Sequence, residues 1–242
     1  PRSAHSAGFA PPTRVPPPPV CPTGLARAPQ VCKSLPAGFL SGKLIVDMLS
    51  VKQHAKAVMT QTMPADSDLL CMHPMFGPDS GKNSWHGLPC VYEHARVADF
   101  HRAARFLSLF ENEGCKMVRM PCEQHDTLAA GSQFVTHLTG RLLSKLHLKQ
   151  SPIATKGFKA ILNLVDNTCS DSFDLFYALY AHNPASSVQL RQFADAFDEL
   201  RRDLLAYDTA VPNGGSSADD AAARLASSQE ELAAIGGASR AG

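Results

Sequence analysis

The sequence predicts an α/β layer followed by an all-α region. Short apolar runs alternate with helix-period stretches between residues 43 and 121. From 123 to 207 only the helical period remains. Pro or Gly punctuates most of the junctions, and the switch from mixed to purely helical patterning argues for two regions in succession. At 44% hydrophobic and 19% charged the chain can bury a core, and 242 residues allow one large domain or two small ones.

The first stretch reads differently. "APPTRVPPPPVCPTGLARAPQ" is Pro-rich, and no Asp or Glu precedes Asp47. Proline removes backbone donors and blocks helix or central strand, so residues 1–34 are expected to be disordered. A basic, acid-poor start suits part of an organelle transit peptide. The lack of an initiator Met equally suits a fragment.

Order is expected from "GKLIVDMLS", where Lys43 to Leu49 is an apolar run broken by Asp47, as in a short buried parallel strand. "VKQHAKAVMTQTM" reads as a helix stopped by Pro64. "DLLCMH" and "LPCVYE" read as a second and third strand. "VADFHRAARFLSLFENEG" is an amphipathic helix ending at Gly114, and "CKMVRMP" is a fourth strand ending at Pro121. The α/β layer is thus placed at 35–121.

The helical region is placed at 122–207. "EQHDTLAAGSQFVTHLTGRLLSKLHL" carries Leu128, Val135, Leu138, Leu142, Leu143 and Leu146 at helical spacing. "SPIATKGFKAILNLVDNTC" follows, with Ser151 read as N-cap and Pro152 at the first helical position. "SDSFDLFYALYAHN" closes at Asn183-Pro184, and "ASSVQLRQFADAFDELRRDLLAY" is the last strong helix. The Gly/Ser/Ala-rich tail, 208–242, has few large apolar residues to dock it and is expected to be disordered or loosely helical.

Composition excludes some classes. A net charge of +1 argues against a nucleic-acid binder. No apolar run approaches the ~18–20 residues of a transmembrane helix, so neither membrane nor nucleic acid is expected as a partner. The seven Cys include no CxxC pair, several sit in apolar runs, and there is no zinc signature. That pattern suits a reducing compartment. HxxxH and HExxH are absent, and no metal is expected. No GxSxG elbow supports a Ser–His–Asp hydrolase.

Three clusters carry candidate chemistry. Ser50 and Lys52 follow the first strand, and His73 ends the second. In open parallel sheets ligands sit beyond the strands' carboxyl ends. If these strands are neighbours, the Ser50 hydroxyl can fix the tautomer of His73, which can then take a proton from a substrate hydroxyl. The alternative is that Ser50 caps the next helix and His73 is a satisfied turn residue. The third cluster is "CEQHDTLAAGSQFVTH", where Gln133 and His137 stand four residues apart on one helix face, near His125 and Ser132. Ala129, Ala130 and Gly131 would allow close approach of a ligand or another backbone. Here too a capped, tightly packed helix is the alternative, with His125 and Asp126 as capping groups.

With these clusters in place, the sequence resembles the plant and algal arogenate dehydrogenases, relatives of prephenate dehydrogenase. The resemblance rests on "IVDMLSVK", "LLCMHPMFGPDSGKNSW", "FENEGCKMVRMPCEQHDTLAAGSQFVTHLTGRLL", "SPIATKGFKAILNLVDNTCSDSFDLFYALYAHNP" and the final helix. These run in unbroken order from about Ser34 to Leu205.

The resemblance implies an NADP-dependent oxidative decarboxylation, giving tyrosine from arogenate or hydroxyphenylpyruvate from prephenate. It implies that His73 accepts the proton of the ring hydroxyl, with Ser50 orienting it. It places Ser132, Gln133 and His137 on the wall of the substrate pocket, and Lys156 as a carboxylate partner. It further implies a homodimer through the helical region and a plastid location.

Two departures stand out. The family opens with a strand, a GxGxxG turn and a helix that hold the dinucleotide, so the sheet here is expected to be an incomplete Rossmann-type sheet in a chain cut short at its N-terminus. Ser50 and Lys52 are then the remaining candidates for cofactor contact. Gln124 stands where many arogenate-specific relatives carry an acid for the substrate's ammonium, which leaves arogenate and prephenate both open. The competing reading is a catalytically silent helical dimer that binds no cofactor.

Overall fold

A computed structural model describes residues 30–31, 33–77 and 80–210. The expectations for 1–29 and 211–242 lie outside the described residues. Residues 30–31 and 33–34, expected to be disordered, are instead helical, with Ser34 Oγ donating to Val31 O. The described residues fall into two compact units, one through Asn183 and one from Pro184 on.

In the first unit a short helix α1 (Ala37–Leu40) leads into β1 (Leu44–Asp47), α2 (Lys52–Thr62), β2 (Asp68–Pro74) and β3 (Pro89–Arg96). Then come α3 (Phe100–Asn112), β4 (Lys116–Arg119) and α4 (Cys122–Ala129). A π-helical turn (Ala130–Phe134) joins α4 to α5 (Val135–Ser144), followed by α6 (Lys156–Cys169) and α7 (Phe173–Ala181). The second unit contributes α8 (Pro184–Ala210).

The sheet order is β1-β2-β3-β4. β1 runs parallel to β2 and β3 parallel to β4, but β2 and β3 are antiparallel, so the sheet is mixed rather than parallel. The reason is the connection. No helix crosses between β2 and β3, only the loop 75–88, and without a crossover the chain returns antiparallel.

β2 is buried along Asp68–His73, and its side chains alternate between the two faces. Leu69 and Cys71 pack with Met59, Met63 and Cys122, toward α2 and α4. Leu70 and Met72 pack with Cys90, Leu107 and Phe110, toward α3. His73, next in the alternation, therefore points to the α2/α4 side. The loop after it is pinned by Trp85, which stacks on Phe110 at 5.5 Å and meets Phe76 at 5.6 Å. At the end of α3, Gly114 has φ +82, and a Cβ there would lie 2.8 Å from the His86 ring. Only glycine closes this turn.

The sequence suggests a boundary at 121/122, yet α4 packs on α2 and β3 within the same unit. Ser151 does not cap α6. Ser151 O closes a turn on Ala154 N, and Thr155 is the N-cap, its Oγ1 accepting from Phe158 N at 3.2 Å. Pro152 sits in that turn. Gly131 is not a site of close approach, since a Cβ there meets nothing within 4 Å. The close approach is at Gly140, where a Cβ would lie 2.0 Å from Thr168 Oγ1 on α6. Phe134, Val51, Ala178 and Leu179 form the core that joins the π turn and α7 to the start of α2.

α8, considered by itself, carries Leu190, Phe193, Phe197, Leu200, Leu204 and Tyr207 at alternating three- and four-residue steps. That is the spacing of a coiled-coil seam. Phe197, Leu200, Leu204 and Tyr207 are 57–70% exposed.

Candidate active site

A cavity of about 580 Å³ opens between the ends of β1 and β2 and the helical layer. Its wall is formed by Ser50, His73, Phe76, Gln133, His137 and Asp171, with Met48, Pro74–Gly77, Ser132, Thr136 and Leu175 around them. Ser50 and His73 meet here because β1 and β2 are neighbours in register, Asp47 opposite Cys71. Ser132 and Gln133 reach it from the π turn, where the widened helix shifts the face that they present. His137 follows one turn later.

His73 is 5% exposed, and its imidazole is the end of a buried line of hydrogen bonds. His73 Nδ1 lies 2.9 Å from His125 Nε2, and His125 Nδ1 lies 2.8 Å from Asp126 Oδ1. The direction of this line follows from Asp126. Its carboxylate accepts Lys52 N at 2.8 Å and Gln53 N at 2.9 Å as well, so it is the acceptor toward His125. His125 thus carries its proton on Nδ1 and offers Nε2 as an acceptor. His73 then donates from Nδ1, which leaves the lone pair on Nε2 free at the cavity. Burial first, then the electrostatic influence of the neighbouring His125 and of the Lys52 ammonium, holds the His73 pKa down to about 3, so the ring is neutral at ordinary pH.

Asp126 does a second job. The N-cap of α2 is Val51, without a side-chain cap, and Asp126 on α4 supplies the missing acceptor to the first turn. Ser50 therefore is not the cap of α2, and the tautomer of His73 is set by His125 rather than by Ser50. Asn183 Nδ2 donates to Asp126 O at 2.8 Å and holds the turn from the other side.

Lys52 is buried at 1% exposure, its ammonium spent on Asp47 and on Met72 O, 2.6 Å away. It does not reach the cavity, which removes it as a candidate for cofactor contact. Gln124 and Lys156 are exposed and lie off the cavity wall. His137 is half-buried, with Nδ1 3.9 Å from Asp171 Oδ2. Burial lowers its pKa most, Asp171 pulls it back up, and Arg141 lowers it again.

Sequence reasoning missed His125 as the partner of His73, and Asp171 altogether. The "HD" pair was visible, but the separation of 52 residues between His73 and His125 hides the contact. The strand-to-helix turns at 48–51, 97–99 and 120–121 contain no glycine. The described residues therefore do not form a glycine-rich pyrophosphate cradle.

Residues 142–213 match the family described as "TYRAAT1-like, C-terminal domain". The chain is 49% identical over 187 residues to chloroplastic arogenate dehydrogenase 2 of Arabidopsis thaliana, covering 75% of this chain and 52% of that protein. It is 48% identical to chloroplastic arogenate dehydrogenase 1 of the same plant, over 75% of this chain and 29% of that one. The chain thus spans about half, or less, of the curated relatives it matches.

Among solved structures it is similar to prephenate dehydrogenase from Aquifex aeolicus, with a TM-score of 0.58 at 16% identity. That match covers 86% of this chain and 74% of the other. A further structure of the Aquifex enzyme, in complex with hydroxyphenyl propionate and NAD+, matches at TM-score 0.56 and 15% identity, over 86% of this chain and 73% of that one. The fold is that of these structures, a partial Rossmann-like mixed sheet followed by helices. Over the segment that it shares with the plant enzymes, the chain is similar to the arogenate dehydrogenases.

Proposed function

We propose that this cavity binds a cyclohexadienyl substrate, arogenate or prephenate, and that His73 takes the proton of its ring hydroxyl during oxidative decarboxylation. The observation that carries this reading is the Asp126–His125–His73 line ending in a bare Nε2 at the cavity wall. A proton arriving at Nε2 puts positive charge on a buried ring. The hydrogen bond from Nδ1 spreads that charge toward His125, which stands against the Asp126 carboxylate. Ser50 shares the wall and supplies a hydroxyl to the substrate's oxygen. Ser132, Gln133 and His137 hold the rest of the ring ligand. The volume, about 580 Å³, suits a small-molecule site.

By the resemblance the hydride acceptor is NADP. The described residues contribute no pyrophosphate cradle, and the part they play in this reading is substrate binding and proton transfer. That same feature favours a second reading, a substrate-binding dimer without turnover. The test is arogenate- and prephenate-dependent NADP reduction by the purified chain, beside its His73→Ala variant. Turnover in the native chain that disappears in His73→Ala, with substrate binding kept within a few-fold, supports the first reading. Turnover that survives the substitution refutes the proton-acceptor role. Binding without turnover in the native chain supports the second.

A homodimer belongs to the same proposal. The exposed seam of α8 and the exposed Leu142, Leu146, Ile161, Phe173 and Tyr177 support it, and sedimentation velocity tests it. The plastid location rests on the chloroplastic names of the plant relatives. Among the described residues no helix is long and apolar enough to cross a membrane.

A further inference from the structure

We propose that the stacked imidazoles of His54 and His182 form a proton-operated latch on the Asp126 end of the buried hydrogen-bond line, closed while at most one ring is charged and opened when both are. The latch lies outside the cavity wall and does not depend on which substrate the cavity takes.

The pair is a rung in the packing of α2 against α7. Val51, one turn before His54, and Ala178, one turn before His182, belong to one core cluster. The next pair along these helices is His54 and His182, whose rings stack at 4.0 Å between centroids and 25° between planes. Each histidine adjoins a residue that holds Asp126. Gln53 N, beside His54, donates to Asp126 Oδ2 at 2.9 Å. Asn183 Nδ2, beside His182, donates to Asp126 O at 2.8 Å. The stack thus steadies from outside the residue against which His125 and His73 are lined up.

The number of protons decides whether the stack holds. Two neutral rings pack as aromatics, and one imidazolium over a neutral ring is a favourable cation–π pair. Two imidazoliums put like charges face to face at 4.0 Å. A second cost falls on His54, whose Nε2 is buried without a hydrogen-bond partner. A charged ring carries a proton on both nitrogens, so a closed stack would strand an N–H donor away from water. Burial first, then the electrostatic influence of His182, lowers the His54 pKa accordingly.

Among the described residues no neighbouring carboxylate is free to offset this. On α2, Lys52 is tied to Asp47 and Met72 O, and Lys56 to Glu93 and Glu123. On α4, the Asp126 carboxylate is taken by His125 Nδ1 and by the amides of Lys52 and Gln53. The π turn has no titratable side chain, and α7 has only Tyr177 and Tyr180 after Asp174. α8 carries no charged side chain before Arg191. The open latch accepts a proton on His54 more readily than the closed one, so the closed population falls as pH drops below 6.5, the ordinary histidine value.

Amide hydrogen exchange of Lys52 and Gln53, read by NMR as protection factors at pH 7, 6 and 5, tests this. The comparison is between the native chain and His54→Phe, which keeps a ring in the stack and takes no proton. Protection of the two amides is expected to fall about tenfold further in the native chain, the factor carried by one pH unit of linkage. The His73 contribution is common to both proteins and cancels. His182→Phe should flatten the native curve in the same way, and it carries the test if His54→Phe does not fold. In the native chain the His54 ring protons are expected to titrate below 6.5, and to move upward in His182→Phe. Parallel protection curves for the native chain and the Phe variants, or a His54 that titrates at or above 6.5, overturn the latch.

Discussion

His73 makes the stability of this chain depend on pH in a way that can be calculated. The imidazole has an ordinary value of 6.5 and is held down to about 3 in the fold, by burial first and then by the electrostatic influence of His125 and the Lys52 ammonium. Between pH 6.5 and about 3 the unfolded chain binds a proton here that the native chain refuses. Stability therefore falls as pH is lowered through that window and levels off below it. From pH 7 to pH 5 this one group removes about 2 kcal/mol of unfolding free energy, from its two protonation curves. His54, His94 and His137 are also lowered by burial and add to the slope, so the native curve alone does not isolate His73. The comparison that does is His73→Gln. Urea unfolding at pH 5, 6 and 7, followed by circular dichroism, is expected to show the variant losing about 2 kcal/mol less than the native chain over that range. Parallel pH curves for the two proteins would refute the buried, neutral His73.

Other expectations follow from packing. Gly140→Ala places a methyl 2.0 Å from Thr168 Oγ1 and 3.1 Å from Leu164 O, so α5 and α6 must separate. The cost is about 1–3 kcal/mol in urea unfolding, and Thr168→Ala in the same chain should recover part of it. No loss in Gly140→Ala would mean that the two helices are not in this contact. Leu200→Glu puts a charge in the middle of the exposed α8 seam, and sedimentation velocity should shift from dimer toward monomer. A dimer of unchanged strength would remove that seam from the interface.

The elements that were legible in the sequence are those with local causes. β2 is buried on both faces, so "DLLCMH" reads as one apolar run. α3 ends where Gly114 supplies a positive φ, and α7 begins where Ser172 Oγ accepts from Leu175 N. Ser50 and His73 could be placed together because strand ends converge wherever strands are neighbours. What stayed hidden has long-range causes. Asp126 caps a helix whose first residue is 74 positions earlier, and no local signal marks that pairing. His125 looked like a terminal capping residue until the fold set it against His73. Ser151 and Thr155 are both acceptable caps by type, and the turn closed by Ser151 O decides between them. The antiparallel β2–β3 pair was open to inference from the loop 75–88, where Gly77, Pro78, Gly81 and Gly87 leave no uninterrupted run for a crossover helix.

The claim on which the rest depends is that His73 presents an unprotonated Nε2 to the cavity. Long-range nitrogen-15 correlation spectra of the histidine rings measure this directly, with His73 assigned from His73→Gln. At pH 7 the account predicts one proton on His73 Nδ1 and none on Nε2, with the ring still neutral at pH 5. A His73 protonated on Nε2, or titrating near 6.5, would contradict it.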